Sequence, residues 1–153
     1  MQRETEGLVV NGYRCWVAGY QTGNVDHWAR AWNLFAVRLG TGQARPVISQ
    51  LSLWVKSICL WRTDPLETFE FECRHICRDE CLAVSMIAAC QHEDYPCLRY
   101  CANRLCGIAG SEETVEAALG LASTLKSAGR DMMPVPLDIV RGIAEMPQTP
   151  TLH

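Results

Sequence analysis

The sequence predicts a mainly α-helical protein: a four- or five-helix bundle with a short β-hairpin at its N-terminus. Three observations lead to this fold class. Apolar residues recur at three- and four-residue spacing over most of the chain. Glycine and proline interrupt this pattern at intervals that suit helices. The length of 153 residues suits one domain, so we expect a single helical domain over 1–146 and a mobile tail over 147–153.

Residues 1–62 form a tryptophan-rich region that contains all five tryptophans. Near its start, the stretches LVV and YRCWV flank Asn11-Gly12. This dipeptide favours a type I′ turn and therefore predicts the β-hairpin. Trp28, Trp32 and Phe35 then share one face of a helix predicted over about 25–39.

A second helix is predicted from about Val47 to about Arg62, because Trp54 and its apolar neighbours follow helical spacing there. The tryptophans of both helices are expected to pack between helices or to form a contact between copies of the chain. The sequence therefore leaves a homo-oligomer through this region open.

A cysteine-rich helical hairpin is predicted over 64–107. Asp64-Pro65 has the form of an N-cap followed by proline in the first turn, which predicts a long helix that continues to His92. Pro96 then starts a further helix that ends near Gly107.

The C-terminal region over 111–146 is predicted to be helical as well. Ser111 serves as an N-cap, and acidic residues occupy the first turn after it. An apolar stripe continues to Gly129, which ends the helix. After two prolines, a short further helix is expected between Leu137 and Met146.

The overall composition excludes several classes of function. The net charge of −3 disfavours a nucleic-acid partner, and no apolar segment is long enough to span a membrane. Without a signal-like N-terminus, a cytoplasmic location is expected. Neither a phosphate-binding glycine loop nor a local cysteine–histidine signature is present, so no catalytic residue is assigned, although a thiol redox role is left open.

The cysteine spacing is the strongest functional signal. Seven of the nine cysteines lie between residues 73 and 106, and Cys-x3-Cys steps place pairs of thiols on one helix face. In an antiparallel hairpin with its turn near residue 89, Cys77 faces Cys101 and Cys81 faces Cys97. Cys73 and Cys106 form a weaker third pair, because Cys106 lies about 140° around the helix from Cys101.

Three chemical states are compatible with such an array. Soft thiolates bind Cu(I) and, less favourably here, zinc, so metal binding is the leading hypothesis. Two disulfides across the hairpin are an alternative, although a reducing compartment opposes them. The third state is a set of buried thiols in a structural or protein-interaction protein, because free cysteine is among the most buried residue types.

The segment over about 73–106 also resembles a known family, and its sequence is CRHICRDECLAVSMIAACQHEDYPCLRYCANRLC. It is similar to the cysteine-rich four-helix-bundle proteins related to bacterial copper storage proteins. The resemblance implies Cu(I) bound by Cys77, Cys81, Cys97 and Cys101, with Cys73 and Cys106 as flanking ligands. The other helices carry no comparable pattern, which implies one to a few ions. The twin Cys-x3-Cys steps are also similar to the hairpins of small disulfide-bonded chaperones.

Overall fold

The computed structural model describes residues 4–147. The regular secondary structure of these residues is entirely α-helical, with no strands. The mainly α fold class is therefore confirmed. Seven helices follow one another: α1 Glu4–Thr22, α2 Asp26–Leu39, α3 Thr41–Trp61, α4 Arg78–Gln91, α5 Tyr95–Cys106, α6 Ile108–Ser127 and α7 Leu137–Ala144. The predicted tail lies outside the described residues except for Pro147.

The predicted N-terminal β-hairpin is wrong, because residues 4–22 form helix α1. Asn11-Gly12 lies in the middle of this helix, where Asn11 Nδ2 donates to the Gly7 carbonyl one turn earlier at 3.0 Å. Gly12 is needed for packing, not for a turn: a β-carbon there would lie 2.7 Å from Phe35 Cζ and 3.0 Å from Leu51 Cδ2. The dipeptide therefore marks where α1 closely approaches α2 and α3.

A matched pair of glycine substitutions tests this close approach. Gly12→Ala is expected to lower the free energy of unfolding by about 1–3 kcal/mol, because the buried Phe35 ring must shift. Gly42→Ala, in α3, meets no atom within 4 Å and should be neutral or stabilise the fold by up to about 1 kcal/mol. Urea unfolding of the two variants measures the difference. Equal stabilities would contradict the packing role of Gly12.

The long helix predicted from Asp64 to His92 is also wrong in its first half. Residues 62–77 form an irregular segment, here called the strap, and α4 begins only at Arg78. Backbone amides of the strap bond to side chains instead of to a helical ladder: Glu67 N donates to Asp79 Oδ2 and Phe69 N donates to Glu80 Oε2, each at 2.9 Å. These bonds keep the strap extended along the start of α4.

A buried ion pair fixes the strap at its other end. Arg14 of α1 donates from Nε to Glu80 Oε2 at 2.7 Å, and both side chains are almost fully buried. The same guanidinium donates to the carbonyls of Cys73 at 2.9 Å and His75 at 2.7 Å. Charged groups so far from water are tolerated because every one of these contacts is a charge-assisted hydrogen bond.

Helix α4 is the centre of the fold. Every residue from 79 to 90 is buried, as expected for a helix that is surrounded by other elements. Helices α1, α5, α6 and α7 pack around it, and α3 packs against α6. The cysteine-rich hairpin of α4 and α5 therefore lies in the interior.

The tryptophans of the N-terminal region contact other parts of the same chain. Trp16 stacks on Trp28 with ring centroids 5.4 Å apart, and Trp54 is fully buried. Trp32 is half-buried against the core, while the exposed Trp61 donates to Glu113 of α6. The predicted packing of tryptophans between helices is thus seen for Trp28 and Trp54.

Candidate functional site

Three of the predicted thiols come together where α4 packs on α5. Asp94 begins α5 by accepting the amide of Cys97, and Pro96 occupies its first turn. Cys97 and Cys101 then lie one turn apart on the same face of α5. Cys81 of α4 is close enough to interact electrostatically with both. These three residues are the thiol cluster discussed below.

The thiol cluster is enclosed by protein. Cys97 and Cys101 are both 0 % exposed, and Cys81 is also buried. Burial raises the pKa of all three thiols, most strongly that of Cys101, which the neighbouring Cys97 and Cys81 raise further. In the unliganded protein at neutral pH these cysteines are therefore protonated thiols.

The predicted ligand Cys77 has another role. It is the N-cap of α4: its sulfur accepts the Glu80 amide, while Glu80 Oε1 accepts the Cys77 amide at 3.1 Å. Its thiol donates to the Glu67 carbonyl of the strap at 3.2 Å. Burial raises the pKa of Cys77 to about 12. The sequence placed Cys77 and Cys81 on one helix face, but the helix begins after Cys77.

The flanking pair lies apart from the thiol cluster. Cys73 is half-buried in the strap, where its carbonyl accepts from Arg14. Cys106 ends α5 with its sulfur 3.3 Å from Thr114 Oγ1, and it raises the pKa of Cys59 in α3. Among the described residues, neither belongs to a group of three or more side chains that could hold a metal ion.

Within residues 4–147, no set of three or more histidine, cysteine, aspartate or glutamate side chains has an arrangement able to hold a metal ion. Tetrahedral zinc in proteins uses three or four such ligands. A soft monovalent ion needs only two thiolates, which the adjacent Cys97 and Cys101 supply. Cys97 and Cys101 therefore form a pair of sulfurs one turn apart on α5.

The sequence did not indicate the segment 130–136 as part of this site. It joins α6 to α7 without regular secondary structure, and its Val135 carbonyl accepts from the Cys97 sulfur at 3.7 Å. Only Pro134 and Pro136 marked it, as a break between helices. Its position over α5 depends on contacts that are remote in the sequence.

Comparisons with known proteins add no assignment. No protein-family model, curated protein or solved structure shows a significant match to the chain. Among residues 4–147, no helix is both long enough and apolar enough to cross a membrane.

Proposed function

We propose that the protein binds one Cu(I) ion through two ligands, the thiolates of Cys97 and Cys101. The observation that carries this proposal is that Cys97 and Cys101 lie one turn apart on the same face of α5 and are both 0 % exposed. Cys81 of α4 is near enough to raise the pKa of both thiols. Two sulfurs at this spacing match the ligand number of Cu(I), and their soft character matches its preference.

The surroundings of the thiol cluster support a soft ion over a hard one. Leu98, Ala102 and Leu105 lie beside these thiols on α5 and are buried apolar residues. Water is kept out, which protects Cu(I) from oxidation and disfavours ions that retain a hydration shell. The protein orients the two sulfurs. Both thiols lose their protons when the ion binds, because only a thiolate is a ligand.

A double substitution tests this proposal. Cys97→Ala with Cys101→Ala is expected to remove the bound Cu(I), so that the chain no longer competes with a chromogenic Cu(I) chelator under anaerobic conditions. Wild-type protein should withdraw about one ion per chain. Cys81→Ala alone should still withdraw about one ion per chain, because both ligands remain.

The matched control is Cys90→Ala with Cys106→Ala. It removes two buried thiols from the same two helices but leaves the thiol cluster intact. It should therefore retain the wild-type stoichiometry. Equal copper retention by both double variants, or no competition by the wild type, would remove the proposal.

The second candidate is a structural or protein-interaction protein whose cysteines are buried thiols. Its supporting observation is that all nine cysteines in the structure are free and that six of them are buried. In that case no Cu(I) is withdrawn from the chelator, and the nine thiols react fully only after unfolding. Disulfide stapling of the hairpin would instead give fewer than nine reactive thiols in unfolded, unreduced protein.

A further inference from the structure

The segment 130–136 contacts the thiol cluster at Cys97 and is fastened by two neighbouring residues at the end of α4. Gln91 Oε1 accepts the Met132 amide at 2.7 Å, and Gln91 Nε2 donates to the Arg130 carbonyl at 3.0 Å. His92 Nε2 donates to the Met132 carbonyl at 2.6 Å. The attachment to α4 therefore consists largely of side-chain hydrogen bonds to one short stretch of backbone.

This segment is weakly anchored by apolar contact. Met132 is its one buried residue, and four of its seven residues are exposed. At its rim, Arg130 donates to Glu4, and the Met133 amide donates to Glu6, both in exposed positions. Segments with few buried apolar groups open locally at much lower free energy than the whole fold.

Both ends of the segment allow it to move while its neighbours stay in place. Gly129, with φ of 75°, follows α6 just before the segment, and Pro136, the last residue of the segment, is the N-cap of α7. Helix α7 has its own attachment to α5, since Arg104 donates to the Ala144 carbonyl and Tyr100 donates to Glu145. Opening of 130–136 therefore does not require α7 to detach.

Beneath this segment lies the Cys97 sulfur, which is 0 % exposed and donates to the Val135 carbonyl. An ion that binds Cys97 and Cys101 needs a path to them. The enclosing helices α4, α5 and α6 bury large side chains, so their separation amounts to unfolding. Opening the irregular segment therefore costs less free energy than separating these helices.

We propose that residues 130–136 form a lid, released from Gln91 and His92, whose opening is the route by which Cu(I) reaches Cys97 and Cys101. The lid itself is independent of the metal. Its role as an entry route rests on the proposed function.

Thiol alkylation in the native state tests the lid without any metal. Full-length protein is treated with iodoacetamide at increasing urea below the unfolding transition, and each cysteine is followed by peptide mass spectrometry. The labelling rate of Cys97 should hardly depend on urea, because local opening exposes little surface. Cys106, which is also buried and lies on the same helix, should label only at the rate of global unfolding and respond steeply to urea.

Gln91→Met removes the Gln91 part of the fastening, leaves the His92 bond in place, and keeps a side chain of similar length. It should speed alkylation of Cys97 about tenfold or more, because two hydrogen bonds to the lid are lost. Alkylation of Cys106 should change less than about twofold. The control Gln21→Met removes a similar side-chain bond, to the Leu66 carbonyl of the strap, and should alter neither rate.

Two results would overturn the lid proposal. One is the same urea dependence of the alkylation rate for Cys97 and Cys106 in the wild type. The other is an unchanged alkylation rate of Cys97 in Gln91→Met. The urea dependence needs only wild-type protein, so it stands if Gln91→Met fails to fold. Uptake of Cu(I) from its chelator then separates the two proposals. Fast Cys97 labelling without copper uptake refutes the function alone, whereas copper uptake at the global unfolding rate refutes the lid alone.

Discussion

Replacing Glu80 with alanine is expected to destabilise the fold by about 3–5 kcal/mol, the cost of leaving a buried partner charge uncompensated. Four donors converge on this one carboxylate. Oε2 accepts Arg14 Nε and the Phe69 amide, while Oε1 accepts Arg14 Nη2 and the Cys77 amide. Without Glu80, the guanidinium of Arg14 remains buried among carbonyls, and two strap amides lose their acceptor.

Glu80→Gln keeps the shape of the side chain, but it should still destabilise the fold substantially. All four groups around the carboxylate are donors, so the amide nitrogen of glutamine would face one or two of them. Arg38→Ala is the control, because Arg38 forms an exposed ion pair with Glu4 and its loss should cost about 1 kcal/mol or less. Urea unfolding of the three variants gives the comparison.

Amide hydrogen exchange shows where the Glu80 variants loosen. The amides of Phe69 and Cys77 should exchange faster in Glu80→Gln, since each donates to a Glu80 oxygen. A loss of stability below about 1 kcal/mol for Glu80→Ala, or unchanged exchange in the strap, would contradict the role of this network.

The helices that the sequence predicted well are those with a local signal at each end. For α2, an apolar stripe at helical spacing ends at Gly40, and the observed Asp26–Leu39 agrees closely with the predicted 25–39. Helix α5 has an aspartate cap with Pro96 in its first turn and Gly107 after its last residue. Such signals act through neighbouring residues and are therefore visible in the sequence.

The strap and helix α1 were mispredicted because their conformation depends on distant partners. Asp64-Pro65 has the composition of a helix start, but the amides that follow bond to Asp79 and Glu80. Asn11-Gly12 has the composition of a hairpin turn, yet Gly12 is fixed by the approach of Phe35. In both places tertiary contacts override a local preference that was correctly recognised.

The thiol site was predictable only in part, because local spacing decides some of its geometry and distant contacts decide the rest. Cys97 and Cys101 share a face because both lie within α5, and four-residue spacing decides the face. Cys77 was expected beside Cys81, but the extended strap ends at Cys77 and turns its sulfur to the N-cap position. The spacing rule holds only inside a helix, and the strap sets where that helix begins.

Replacing Trp54 with alanine is expected to destabilise the fold by about 3–5 kcal/mol, because a fully buried indole leaves a large cavity. Trp54 lies in α3 and links it to two other helices. Its Nε1 donates to Met86 Sδ of α4 at 3.5 Å, and its ring lies 5.8 Å from the Tyr13 ring of α1. Trp54→Phe should lose less than half as much, since a ring still fills most of the space.

The control for Trp54 is Leu53→Ala, the exposed neighbour on the same helix, which should change stability by less than about 0.5 kcal/mol. Urea unfolding followed by circular dichroism measures all three variants. Trp54→Ala also separates folding from binding, because the hydrogen bond of Trp54 to α4 goes to Met86, which is not one of the three cysteines of the thiol cluster. At urea concentrations below its lowered unfolding transition, the Trp54→Ala variant should still withdraw one Cu(I) ion per chain from the chelator. A loss of copper binding in folded Trp54→Ala would show that the geometry of the thiol cluster depends on how α3 supports α4.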